Sequence, residues 1–93
     1  QDMDKPLRIS LRPGQALFHE GDPPDTAFLI EQGTLEVSTR HGGRERVLSL
    51  LGPGDLVGEM AVIDDSPRTA TAIAVTDCVL FPIDRSQIAE RLA

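Results

Sequence analysis

Within Val57-Gly58-Glu59-Met60-Ala61-Val62-Ile63-Asp64-Asp65-Ser66-Pro67-Arg68-Thr69-Ala70-Thr71, eight residues separate a Gly-Glu pair from an arginine, and small residues follow it. Gly58-Glu59 reads as the start of a helix, where free backbone N–H groups attract an anion. The guanidinium of Arg68 would add charge-assisted hydrogen bonds to the oxygens of that anion. A carboxylate only accepts hydrogen bonds, so Glu59 suits a sugar hydroxyl and not a phosphate. The residue types together fit one compact ligand, a sugar phosphate with a free hydroxyl.

The elements that must position these residues are short. Turn signals recur at Pro13-Gly14, Gly21-Asp22-Pro23-Pro24, Gln32-Gly33, His41-Gly42-Gly43, Gly52-Pro53-Gly54-Asp55 and Ser66-Pro67, with short apolar runs between them. That rhythm argues for an all-β sandwich or barrel and against a helical bundle. Strands are expected at Ala16–Phe18, Ala27–Glu31, Leu35–Thr39 and Glu45–Leu51, the last two joined by a hairpin across His41-Gly42-Gly43-Arg44. Leu35-Glu36-Val37-Ser38-Thr39 alternates apolar and polar residues, the pattern of a half-buried strand. Ala70–Val75 and Cys78–Ile83 read as two closing strands turned at Thr76-Asp77.

Two segments read as helix. One runs from about Gly58 to Ile63, and Met60, Val62 and Ile63 are expected in the core. The other follows Asp84, which forms a capping box with Gln87 and places Ile88 and Leu92 on one face. About two turns is marginal for a helix that neither docks nor continues, so this one is expected to belong to a longer element.

The bulk composition narrows the function classes. Ninety-three residues, 40% hydrophobic and 26% charged, make one small soluble domain. No apolar run approaches the roughly 20 residues of a membrane span, and no signal peptide is read at the N-terminus. A formal charge of −6 with scattered basic residues argues against a nucleic-acid surface. It also requires any anion site to be local and built from directed donors. The single cysteine, Cys78, rules out an internal disulfide framework and fits a reducing compartment. A cytoplasmic domain without membrane contact is therefore expected. Cys78 reads as a buried small hydrophobe. His19 and His41 are too far apart for a metal set, and Asp64-Asp65 reads as a solvated loop, so no metal is expected.

From about Leu11 to Ala93 the sequence resembles the cyclic nucleotide-binding domain family. Gly58-Glu59-Met60-Ala61 followed by Pro67-Arg68-Thr69-Ala70 looks like that family's phosphate-binding cassette. Glu20-Gly21-Asp22-Pro23-Pro24-Asp25, Phe28-Leu29-Ile30-Glu31-Gln32-Gly33 and Gly52-Pro53-Gly54-Asp55 resemble its early turn, its following strand and the turn into the cassette. The resemblance implies a mainly β fold, an eight-stranded antiparallel jelly roll (double-stranded β-helix) with short helices in the cassette and at the C-terminus. Residues 1–10 would form an N-terminal flank and 11–93 the domain, with the family's C-terminal lid helix cut short.

The resemblance also assigns roles, with cyclic AMP or cyclic GMP as ligand. Arg68 would pair with the cyclic phosphate and Glu59 would accept from the ribose 2′-hydroxyl. Backbone N–H groups near Ala61, Thr69 and Ala70 would complete the phosphate cradle, with Gly58 and Met60 part of the same cassette. Leu48 would line the purine pocket and Val57 would touch sugar or base. Thr69 leaves the choice of purine open. An apolar residue at the position of Val62 transmits binding to the C-terminal helices in the family.

Three functions follow as alternatives. The first is a regulatory sensor whose effector domain lies outside this chain. The second is a degenerate jelly roll that serves as a protein-interaction module without nucleotide. It would have little reason to keep both Glu59 and Arg68, although Arg68 alone would also suit a surface ion pair with Asp64 or Asp65. The third is a cupin-like enzyme, which would gather several histidines and a carboxylate on a metal. Two distant histidines and no recognisable nucleophile–base set argue against it.

Overall fold

A computed structural model describes residues 7–92 of the chain. Eight strands and two helices follow in order: β1 (Ile9–Leu11), β2 (Ala16–Phe18), β3 (Ala27–Gln32), β4 (Leu35–His41), β5 (Arg44–Leu51), β6 (Leu56–Val57), α1 (Glu59–Asp64), β7 (Thr71–Ala74), β8 (Cys78–Ile83) and α2 (Arg85–Leu92). The strands form two four-stranded antiparallel sheets, ordered β1-β8-β3-β6 and β2-β7-β4-β5. This is the mainly β jelly roll expected above.

Strand alternation builds the interior. Leu35 on β4, Ala72 and Ala74 on β7, and Cys78 and Leu80 on β8 point inward with Phe28, Ile30 and Val57, and all are buried. Phe18, Leu17 and Leu51 pack against the margin of this cluster. Cys78 is buried, as its apolar neighbours suggested. A second, smaller cluster joins the helices to one sheet. There Val62 of α1 and Ile88 of α2 meet Ala27 of β3 and Ile83 of β8.

Two strands escaped the sequence reading. The boundary drawn at Leu11 falls inside β1, which pairs with β8 from Ile9↔Leu80 to Leu11↔Cys78. Residues 1–6 of the expected flank lie outside the described residues. β6 is only Leu56–Val57 and pairs with Leu29 and Phe28. The turn before it is anchored on β3, where Gly54 N–H donates to the Ile30 carbonyl at 2.8 Å and Ile30 N–H donates to the Asp55 carbonyl at 3.0 Å.

The capping box of α2 forms in both directions. Gln87 N–H donates to Asp84 Oδ1 and Asp84 N–H to Gln87 Oε1, each at 2.9 Å. Ile88 is 1% exposed and docks the helix, while the side chain of Leu92 lies outside the described residues. Met60 and Ile63 are corrections, being 59% and 36% exposed. A helix of six residues turns only one narrow face to the protein, and Ala61 and Val62 occupy it.

Candidate functional site

The cassette folds around Gly58. This residue caps α1 with φ 76° and ψ 13°, a left-handed conformation that glycine adopts without steric cost. A Cβ there would stand 2.5 Å from Arg68 Nη1 and 3.0 Å from Phe18 Cε2. Glycine is therefore required twice, by the backbone and by what passes over it. No side chain caps α1, so its first N–H groups remain free of a capping partner. The helix is capped after Asp64 by Asp65, also left-handed at φ 54°, and Ser66 N–H returns to the Ala61 carbonyl at 3.1 Å.

The early turn holds Arg68 in place. Gly21 N–H donates to the Arg68 carbonyl at 2.8 Å, and Arg68 N–H donates to the Asp22 carbonyl at 2.9 Å. The turn keeps its own shape because His19 N–H donates to the Asp22 carboxylate at 2.9 Å. Gly21 and Asp22 thus clamp the backbone of the arginine from across the loop, while Glu20 N–H donates to the Thr71 hydroxyl at 3.0 Å.

Arg68 is 3% exposed, which sets aside a surface ion pair with Asp64 or Asp65. Its Nη1 donates to the Gly58 carbonyl at 3.0 Å, and its Nη2 to the Thr26 carbonyl and, at 3.5 Å, to Asp25 Oδ1. Asp25 is itself 82% exposed, so water screens that charge pair. The Nε–H is buried without a partner. Burial lowers the pKa of the guanidinium, against the opposing pull of Asp25 and Asp22. Arginine nonetheless stays charged at neutral pH. The result is a buried cation with one free donor, which an incoming anion can satisfy.

This cation faces a cavity of about 290 Å³. Val57, Gly58, Glu59, Met60, Ala61, Arg68, Thr69 and Ala70 all line it. Glu59 is half-buried, and no hydrogen bond or ion pair among the described residues holds its carboxylate. Glu59 and Arg68 are the charged groups of the lining, and neither histidine nor cysteine contributes to it.

Leu48 does not line the cavity and is 54% exposed. The β4–β5 register explains the correction. Val37 pairs with Ser49 and Ser38 with Val47, which leaves Leu48 as the extra residue of a β-bulge. Ser49, itself exposed, and Leu51 line the cavity instead, beside Val37, the cross-strand partner of Ser49. Strand parity counted back from Leu51 would have found Ser49 and put Leu48 outside. Phe18 and Leu56 complete the wall and were also missed. The short β2 and β6 carry too little alternation to show which way they point.

An apolar wall with one arginine, one free carboxylate and a run of helix amides at its mouth defines a small-ligand-binding jelly roll. The sequence matches the model of the cyclic nucleotide-binding domain family over residues 8–93. The chain belongs to that family. It is 41% identical over 73 residues to the cyclic AMP receptor protein of Thermus thermophilus, a match that spans 77% of this chain and 34% of that protein. It is 39% identical over 72 residues to the cAMP-dependent protein kinase regulatory subunit of Eremothecium gossypii, covering 77% of this chain and 15% of that one. The cAMP-bound and cGMP-bound structures of the EAL enzyme Bd1971 each superpose with a TM-score of 0.85 at 34% identity, over 92% of this chain and 23% of theirs. The chain thus spans about a third of the Thermus relative and less of the kinase subunit.

Proposed function

We propose that the cavity binds a 3′,5′-cyclic nucleotide, cyclic AMP or cyclic GMP, and that the domain is a regulatory sensor without catalytic activity of its own. The observation that carries this reading is the buried Arg68 with its unpartnered Nε–H beside the uncapped start of α1. In this reading Arg68 and the amides near Ala61, Thr69 and Ala70 take the cyclic phosphate. Glu59 takes the ribose 2′-hydroxyl. Val57 and Met60 flank the sugar and base, while Val37, Ser49 and Leu51 supply the wall against the purine in the place first given to Leu48. The cavity lies at the small end of the roughly 300–1,000 Å³ of known ligand pockets, which favours a compact ligand.

A ligand shifts a protein only by binding one arrangement better than another. Here the arrangement to be shifted is α1 against α2, and the effector it acts on lies outside this chain. The net charge of −6 argues against a nucleic-acid surface on this domain. No helix among the described residues is long and apolar enough to cross a membrane. The proposed setting is the cytoplasm, where a free thiol such as that of Cys78 persists.

Calorimetric titration with cyclic AMP and cyclic GMP, with 5′-AMP as the open-phosphate control, tests the reading. Saturable binding of a cyclic ligand, lost in Arg68→Ala with the fold retained by circular dichroism, is the expected result. No binding of either cyclic nucleotide, in this chain or in one extended at its C-terminus, would overturn it.

A further inference from the structure

Arg68 lies over the ring of Phe18, with Cζ 4.2 Å from the ring centroid. The ring is held in turn by Phe28, whose centroid is 6.4 Å away at an interplanar angle of 30°. Phe28 belongs to the buried cluster between the sheets. The guanidinium is therefore linked to the core through two aromatic side chains, the second in tilted contact with the first. The missing Cβ of Gly58 is the space in which cation and ring approach.

The choice of a ring has a chemical consequence. A buried carboxylate beside Arg68 would hold the cation but occupy its N–H edges and repel an arriving phosphate. An aromatic face attracts the cation through its quadrupole and leaves those edges open. The carboxylate that does approach, Asp25, is exposed and sits at 3.5 Å on Nη2.

We infer that Phe18 is the positioning residue for Arg68. Its ring sets the guanidinium plane before ligand arrives, so that the buried Nε–H points at the anion. The ligand in this inference is the cyclic nucleotide proposed above, but the geometry stands without it.

Two measurements on the 93-residue chain test the inference. The first needs no ligand and follows the Arg68 Nε–H in ¹H–¹⁵N spectra of the parent, Phe18→Leu and Phe18→Tyr. The ring current and burial give a shifted, slowly exchanging signal in the parent. Leucine moves it toward that of an exposed arginine, and tyrosine preserves it. An unchanged signal in Phe18→Leu would overturn the inference.

The second is calorimetry with whichever cyclic nucleotide the parent binds. Phe18→Leu weakens binding about tenfold, as expected for a desolvated cation–π contact, and Phe18→Tyr restores it. In an Arg68→Lys background the leucine change has little further effect, because the two residues act as one unit. Fully additive losses would also overturn the inference. A parent that binds neither cyclic nucleotide refutes the proposed function and leaves the Nε–H spectra to decide the role of Phe18.

Discussion

Arg68 Nη1 donates to the carbonyl of Gly58 at 3.0 Å, so the arginine after the cassette helix is tied to the glycine that begins it. The bond closes a small loop around α1. The cation and the start of the helix are therefore joined by a direct hydrogen bond.

Gly58→Ala breaks that link. The left-handed backbone costs a residue with Cβ about 1–2 kcal/mol, and the new methyl meets Arg68 Nη1. The expected result is a lower melting temperature together with a loss of cyclic nucleotide affinity of about tenfold or more. Calorimetry beside thermal denaturation checks it, and unchanged affinity would count against the geometry of the cassette.

Gly33→Ala separates stability from binding. At φ 92° the added Cβ would run into the backbone oxygen of Asp77 and into Cys78, groups that cannot swing aside. A loss of about 3 kcal/mol is expected from backbone strain and overpacking combined. Gly33 does not line the cavity, so the folded fraction keeps its affinity. Chemical denaturation and titration of the same sample measure the two effects.

The bulge at Leu48 yields a paired test. Leu48→Ser removes an exposed side chain and changes stability by less than about 0.5 kcal/mol, with affinity unchanged. Ser49→Leu fills the cavity wall and weakens nucleotide binding. The reverse ranking would return the purine contact to Leu48.

Asp84 gives α2 a dependence on pH. Hydrogen bonds from the Gln87 backbone and then from the Ser86 side chain hold its carboxyl below the ordinary value of 3.8. A depressed pKa means that the cap contributes fully above that value and is lost as the pH falls through the lowered one. Asp84→Asn carries no such charge. Thermal melts from about pH 7 to about pH 3 should therefore show the advantage of the parent over Asp84→Asn shrinking only at the acid end.

The sequence disclosed those elements whose pattern is local. The hairpin around Gly42-Gly43 was legible because its turn residues and the alternation of Leu35–Thr39 lie side by side in the chain. The Asp84–Gln87 box was legible for the same reason, since both partners sit within one turn. β1 and β6 were not, because three and two residues carry no period and only their partners on β8 and β3 define them. The cluster of cassette residues at one cavity was foreseeable from spacing and resemblance. Phe18 was not, because its place beside Arg68 depends on the β2–β7 pairing and on the clamp from Gly21 and Asp22, both long-range. Met60 and Ile63 lie outside the core despite their apolar side chains, because so short a helix turns little more than Ala61 and Val62 inward.

Among the described residues the protein has two apolar clusters of unequal size. The larger one lies between the sheets and fixes the frame. The smaller joins Val62, on the helix at the cavity mouth, to Ile88 near the end of the chain, with Ala27 and Ile83 between them. Through that seam the two helices share one set of side-chain contacts, so truncating either Val62 or Ile88 takes a packing partner from both α1 and α2.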